Sequence, residues 1–141
     1  LFAGRDDSNG VIRAEAQAAG VDHAIRFLGF VEATAPLFAA MDIFLLPSDW
    51  EGFPVSILEA MQAGVPIIAT RVGGIPEMLR DQQDGILISP KDPVAIAQAV
   101  NLLARDFALR AAIVKSADAR YQTLYTIETM AAKMASIYTD C

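Results

Sequence analysis

A single cysteine, Cys141, and a single histidine, His23, remove several kinds of chemistry at once. One thiol cannot build a disulfide framework, which fits a reducing compartment. One imidazole cannot build a histidine metal site, and a serine–histidine–acid triad is not expected. His23, in a polar stretch, reads as a surface residue, and Cys141, at the terminus, as inert. Basic runs are missing too. Lys and Arg number 11 against 17 Asp and Glu, a net charge of −6 spread along the chain. Neither nucleic acid nor an anionic lipid surface is therefore expected as a partner. No apolar stretch approaches the length of a membrane span, and no leader peptide is expected. No acidic metal cluster such as Asp-x-Asp appears in the chain. Gly4-Arg5-Asp6 looks like a nucleotide-binding turn but lacks Gly-x-Gly-x-x-Gly, so a dinucleotide fold carries little weight.

What is present is apolar: 54% of 141 residues, enough for one domain with a real core. Five short runs, Leu1–Gly4, Ile25–Phe30, Ile43–Pro47, Pro66–Thr70 and Gly85–Ser89, are near-continuous in hydrophobicity, as strands buried on both faces should be. Helical patterns separate them at Gly10–Ala19, Thr34–Ala40, Pro54–Ala63 and Pro76–Asp81. Strand followed by helix, repeated, predicts right-handed crossovers and a parallel sheet. From residue 93 the pattern is helical only: Pro93–Ala104, Phe107–Tyr121 and Ile127–Tyr138. Asp92-Pro93 makes a good start for the first of these, and Thr126 with Glu128 for the last. Tyr121, Tyr125 and Tyr138 read as packing residues.

The most informative segment runs from Asp49 to Met61, through Trp50-Glu51-Gly52-Phe53-Pro54-Val55-Ser56-Ile57-Leu58-Glu59-Ala60. An apolar strand feeds a short acidic loop, then a helix opened by Pro54 and closed by Gly64. A helix N-terminus after a strand presents free N–H groups and a positive dipole end, which suits a phosphate. Two glutamates eight residues apart, Glu51 and Glu59, bracket that position. Glycosidase carboxyls stand about 5–9.5 Å apart. A loop and a turn and a half of helix should hold this pair roughly 10 Å apart, so a hydrolase pair is rejected. Val55, Ile57, Leu58 and Met61 are expected to form the buried stripe, with Glu59 on its flank.

With Glu59-Ala60-Met61-Gln62-Ala63-Gly64-Val65-Pro66, Ala69–Glu77 and Asp84–Ile88, this string resembles the paired-glutamate signature of the retaining family 4 glycosyltransferases, also called glycosyl transferases group 1. The resemblance implies a Rossmann-like three-layer α/β domain, the C-terminal donor-binding half of a GT-B fold, with a helical C-terminal tail. It implies binding of a nucleoside diphosphate sugar and, in the full-length enzyme, sugar transfer to an acceptor hydroxyl with retention. Glu59 would accept from the ribose hydroxyls, and Glu51 would hold the transferred sugar and steady charge at its anomeric carbon. The amides of Gly52, Phe53, Val55 and Ser56 would meet the β-phosphate and sugar, with Pro54, which has no N–H, shaping the turn. Gly29, Phe30 and Val31 would meet the base, although core packing accounts for Phe30 equally well. Trp50 is either a stacking face for the sugar or an exposed lid residue. Gly73-Gly74 is either a second anion-tolerant turn or a tight turn without a ligand.

The same resemblance implies no cofactor, no metal and a cytoplasmic enzyme, with peripheral attachment at the cytoplasmic face of a membrane an allowed extension. Alternatives are a non-catalytic nucleotide-sugar-binding module or another GT-B enzyme such as a sugar-nucleotide epimerase; the paired glutamates argue against the epimerase. The chain opens inside an expected strand and reads as a piece of a longer polypeptide. Its first run would be the second strand of the order 3-2-1-4-5-6, so the central strand, its basic diphosphate loop and the N-terminal acceptor domain are expected to lie outside it. Without that strand its neighbours would face a gap of about 4.8 Å per strand spacing. That makes excision from a longer chain the preferred reading over independent folding. The fragment alone is expected to be inactive.

Overall fold

A computed structural model of the chain describes residues 1–4 and 10–139. Arg5 and Asp6 of the glycine turn, and Cys141, lie outside the described residues. The chain divides into two compact units between Thr34 and Ala35.

The first unit holds β1 (Phe2–Ala3), α1 (Val11–Ala18), a single 3₁₀ turn at Asp22–Ala24 and β2 (Phe27–Gly29). β1 and β2 pair in parallel. The Phe2 and Phe27 rings lie 5.4 Å apart, and the Arg13 guanidinium sits 4.2 Å above the Phe27 ring. Gly20, at φ 70°, ends α1: its amide donates to the Gln17 carbonyl and the Val21 amide to that of Ala16. His23 is exposed on the 3₁₀ turn.

The second unit is a parallel sheet in the order β3-β4-β5, made of Phe44–Leu46, Ile67–Thr70 and Ile86–Ile88. Around it run α2 (Thr34–Ala39, starting at the unit boundary), α3 (Val55–Gln62), α4 (Ile75–Met78), α5 (Pro93–Arg105), α6 (Phe107–Leu124) and α7 (Ile127–Thr139). The two-residue period of a strand divides the core in two. Ile67, Ala69 and Leu87 face one cluster with Ile57, Ala60 and Met61 of α3. Ile68, Ile86 and Ile88 face another with Ala99 and Leu103 of α5. The result is the expected three-layer, Rossmann-like arrangement, with α6 entering both clusters through Ala117 and Ile113. Burial on both faces holds for β4 and β5. It fails for β3, where Leu45 alternates out of the core, and for β1 and β2.

Helix boundaries follow local chemistry. Asp92 accepts from the Ala95 amide at 2.9 Å, Asp106 from Leu109 at 2.8 Å, and Thr126 from Thr129 at 3.2 Å. Each such cap is worth about 1 kcal/mol. Two expectations need correction. Val55 is 63% exposed and Ala60 takes its place in the stripe, because two residues at 100° apiece put Val55 and Ile57 on opposite sides. Tyr121 and Tyr125 pack on the core, but Tyr138 is exposed with Ile127, Met130, Met134 and Ile137 along α7. Among the described residues no helix is long and apolar enough to cross a membrane.

Candidate functional site

In a parallel sheet the loops leaving the strand C-termini share one edge, where open α/β folds bind ligands. In the second unit that edge collects the loop after β3, the turn after β4 and the turn after β5. The loop after β3 is held by side-chain and backbone bonds together. Thr70, the last residue of β4 and 1% exposed, donates its hydroxyl to the Ser48 carbonyl at 2.6 Å. The Ser48 hydroxyl donates to Oε1 of Glu51 at 2.6 Å, in the range of a charge-assisted bond. The Gly74 amide donates to the Gly52 carbonyl at 3.0 Å.

Gly73 and Gly74 are glycines because of that loop. A Cβ on Gly73 would collide with the Glu51 carbonyl, and one on Gly74 with the Gly52 carbonyl. Gly73 also holds φ at 51°, which favours glycine. The glycines let the β4 turn press against the backbone that carries Glu51.

Beyond the loop, Pro54 is the buried N-cap of α3 rather than its first helical residue, at φ −70° and ψ 111°. Pro54 itself makes no side-chain cap bond to the first turn of this helix. Its opening therefore keeps N–H donors and the positive dipole end at the same edge as Glu51. Val55, Ser56 and Glu59 share a helix face at the i, i+3 and i+4 spacing, and Glu59 is half-buried one turn below Val55. Gly64, at φ 68°, closes the helix: the Val65 amide reaches the Ala60 carbonyl at 3.0 Å and the Gly64 amide that of Met61 at 3.1 Å.

The aromatics of the loop differ in their surroundings. Trp50 is 79% exposed. The Phe53 ring packs edge-on to Tyr125 at 6.1 Å while remaining half exposed, and Tyr125 donates to the Glu77 carbonyl at 3.3 Å. Asp49 lies 3.7 Å from the Lys91 ammonium of the β5 turn, both exposed, so this pair contributes little. In the first unit, Gly29 ends β2 at φ 66° and its carbonyl accepts from the Gly4 amide at 2.9 Å. Phe30 is 75% exposed and Val31 is half-buried.

Asp84, fully buried on the segment leading into β5, has a displaced titration. Burial pushes its carboxyl up. Hydrogen bonds from the Arg80 guanidinium, Ser116 and the Arg80 amide, with the Arg80 charge, more than reverse this and leave it below the usual carboxylate range. Arg80 is held up in turn by its hydrogen bond to Asp84 and by that acid's charge. The guanidinium binds in a fork, 2.7 Å to each carboxylate oxygen, and Ser116 of α6 adds a bond of 2.7 Å. Arg120 stands 3.7 Å from Asp84 and donates to the Met78 and Glu77 carbonyls at the end of α4. This network fastens α6 to the chain between α4 and β5, a structural task. Asp81 does similar work, accepting from Arg71 at 2.7 Å and from the Leu87 amide at 2.9 Å.

Sequence reasoning missed Ser48 and Thr70. The four residues Ser48-Asp49-Trp50-Glu51 fit the serine-x-x-glutamate pattern that marks a helix start, and that was the available signal. Here the pattern serves a loop instead. Among the described residues no group of three or more His, Cys, Asp or Glu is placed to hold a metal ion. A hollow of about 580 Å³ is lined by Gln98, Leu102, Arg105 and Phe107 near the α5–α6 junction, and by none of the loop residues above.

Residues 1–106 match the family described as glycosyl transferases group 1. An uncharacterized glycosyltransferase of Methanocaldococcus jannaschii is 31% identical over 140 residues, 98% of this chain and 36% of that protein. A D-inositol 3-phosphate glycosyltransferase of Corynebacterium urealyticum is 30% identical over 145 residues, 98% of this chain and 34% of that protein. The chain thus spans about a third of these relatives. Among solved structures, Anabaena HepE in complex with UDP superposes with a TM-score of 0.93 at 25% identity, covering 99% of this chain and 40% of that one. The same protein in complex with UDP-glucose gives 0.90 at 26% identity over the same shares. Sucrose-phosphate synthase of Thermosynechococcus elongatus gives 0.88 at 28% identity, covering 97% and 36%.

Proposed function

This chain belongs to the group 1 glycosyl transferases and has the fold of the C-terminal half of a GT-B protein, and on that premise we propose that it binds a nucleoside diphosphate sugar at the β3–α3 edge. Together with an acceptor-binding half it transfers the sugar to an acceptor hydroxyl with retention of configuration. One observation carries the reading: a braced carboxylate, Glu51, immediately precedes a helix whose N-cap, Pro54, makes no side-chain cap bond, and a second carboxylate, Glu59, follows one turn along that helix.

Each part then has a task. The dipole end of α3, with the amides of Gly52, Phe53, Val55 and Ser56, receives the β-phosphate, and Pro54 shapes the turn around it. Glu59 accepts from the ribose hydroxyls. Glu51, which a diphosphate would repel, meets the neutral sugar and steadies the charge that develops at its anomeric carbon. Trp50 offers an exposed face to the sugar. The base-edge role of Gly29, Phe30 and Val31 is a separate part of the proposal, carried by the first unit. Catalysis here is positioning and charge stabilisation of a departing diphosphate, with neither cofactor nor divalent cation. The setting proposed is the cytoplasm. HepE, 25–26% identical, has been crystallised with UDP and UDP-glucose, which supports uridine nucleotides as first probes.

The test is a thermal-shift series of nucleoside diphosphates and their sugars. A stabilising shift with a nucleoside diphosphate sugar is expected, rising with concentration as linkage requires. No shift with any common donor would count against the reading.

A further inference from the structure

We propose that Ser48 is a positioning residue that sets the orientation of the Glu51 carboxylate before any sugar arrives, with Thr70 holding Ser48 in place. The proposal rests on the reading of Glu51 as the group that meets the transferred sugar, and it adds how that group is aimed.

Three observations carry it. First, the Ser48 hydroxyl has one proton, and the 2.6 Å bond gives it to Oε1 of Glu51. A carboxylate offers about four acceptor sites on two oxygens, so a single bond fixes its rotamer without saturating it. Second, Ser48 is itself anchored from another strand. Its carbonyl accepts from Thr70, and Thr70 and Asp84 are the buried polar residues among those described. Buried hydroxyls are satisfied, and this one is satisfied by the residue that holds Glu51. Third, the surrounding loop offers Glu51 little other support. Asp49, Trp50, Gly52 and Phe53 are exposed. A glutamate in such a loop has free side-chain torsions, and freezing them on binding weakens the complex. The Gly74–Gly52 bond fixes the loop backbone, and Ser48 fixes the side chain upon it.

The relay is therefore β4, Thr70, Ser48, Glu51: a rigid strand transmitting position to a mobile type of side chain. Preorganisation of this kind favours the sugar-bearing ligand and is indifferent to the bare nucleotide. That difference separates it from plain loop stability, which would affect both ligands alike.

The experiment measures UDP and UDP-glucose affinities by calorimetry on the full-length protein, for the parent, Ser48→Ala, Ser48→Thr, Glu51→Ala and the double variant. Ser48→Ala is expected to leave UDP affinity within about two-fold while weakening UDP-glucose about ten-fold. Ser48→Thr, which keeps the hydroxyl, should restore most of the UDP-glucose affinity. Adding Ser48→Ala to Glu51→Ala should change nothing further, since the partner is already gone. Equal losses for both ligands in Ser48→Ala would overturn the proposal, as would failure of Ser48→Thr to restore binding. A silent Ser48→Ala beside a damaging Glu51→Ala would overturn the positioning role alone. A silent Glu51→Ala would overturn the reading of Glu51, and the positioning role with it.

Discussion

The Gly74 amide donates to the Gly52 carbonyl across 3.0 Å, so the turn after β4 is bonded to the loop after β3. Two strands of one parallel sheet thereby present their exits as one surface, and the glycines are what allow the approach. The acidic loop of the motif is short, exposed and without regular structure, yet it is fixed at both ends by β4 and its turn.

Gly73→Ala should therefore be more harmful than its exposure suggests. The new methyl meets the Glu51 carbonyl, and φ of 51° strains any side chain. A loss of about 1–3 kcal/mol in urea unfolding is expected, with weaker UDP-glucose binding because the Glu51 backbone must move. A neutral substitution on both measures would show that the loop yields freely.

Asp84 sets an acid limit on stability. Its folded carboxyl titrates below the unfolded value of about 3.9, so its contribution is present above that pH and lost as pH falls through the folded value. The groups facing it are Arg80, Ser116 and Arg120. Asp84→Asn should cost about 1–3 kcal/mol at neutral pH, moderated because Arg80 can turn to water. Its unfolding midpoint should also fall less than the parent's as the pH is lowered below about 4. Parallel pH profiles for the two proteins would refute the assignment.

On the proposed function, residues 1–141 by themselves should transfer no sugar, since they span about a third of the transferases they resemble. The full-length enzyme should work equally well with and without excess EDTA, since the proposed stabilisation of the diphosphate comes from the α3 amides. Turnover by the short chain, or abolition of turnover by EDTA in the long one, would each contradict the account.

How much of this was legible in the sequence varies with the kind of signal. The apolar run Pro66–Thr70 gave β4 and Asp92-Pro93 gave the start of α5, because burial on two faces and side-chain capping are local and chemically specific. Val55 is apolar but exposed, because two residues at 100° apiece set it on the side of α3 opposite Ile57, and hydrophobicity alone does not show that. Apolar spacing reads Tyr138 as packing yet does not disclose what covers that helix face, and the residue is exposed. The paired glutamates stood out by spacing, but their supports did not. Thr70 and Ser48 lie 22 residues apart, and Arg80 and Ser116 lie 36 apart. Contacts of that kind arise from the fold, not from local pattern.

In the proposed site the two carboxylates divide the labour, Glu59 on the nucleotide and Glu51 on the sugar, and calorimetry of UDP and UDP-glucose on the full-length protein separates the two roles. Glu59→Ala should weaken UDP itself by about 1.5–3 kcal/mol, the worth of a hydrogen bond to a charged group. Glu51→Ala should leave UDP affinity nearly intact and remove the part of UDP-glucose affinity due to the sugar. Equal losses of UDP affinity in the two variants would contradict the account.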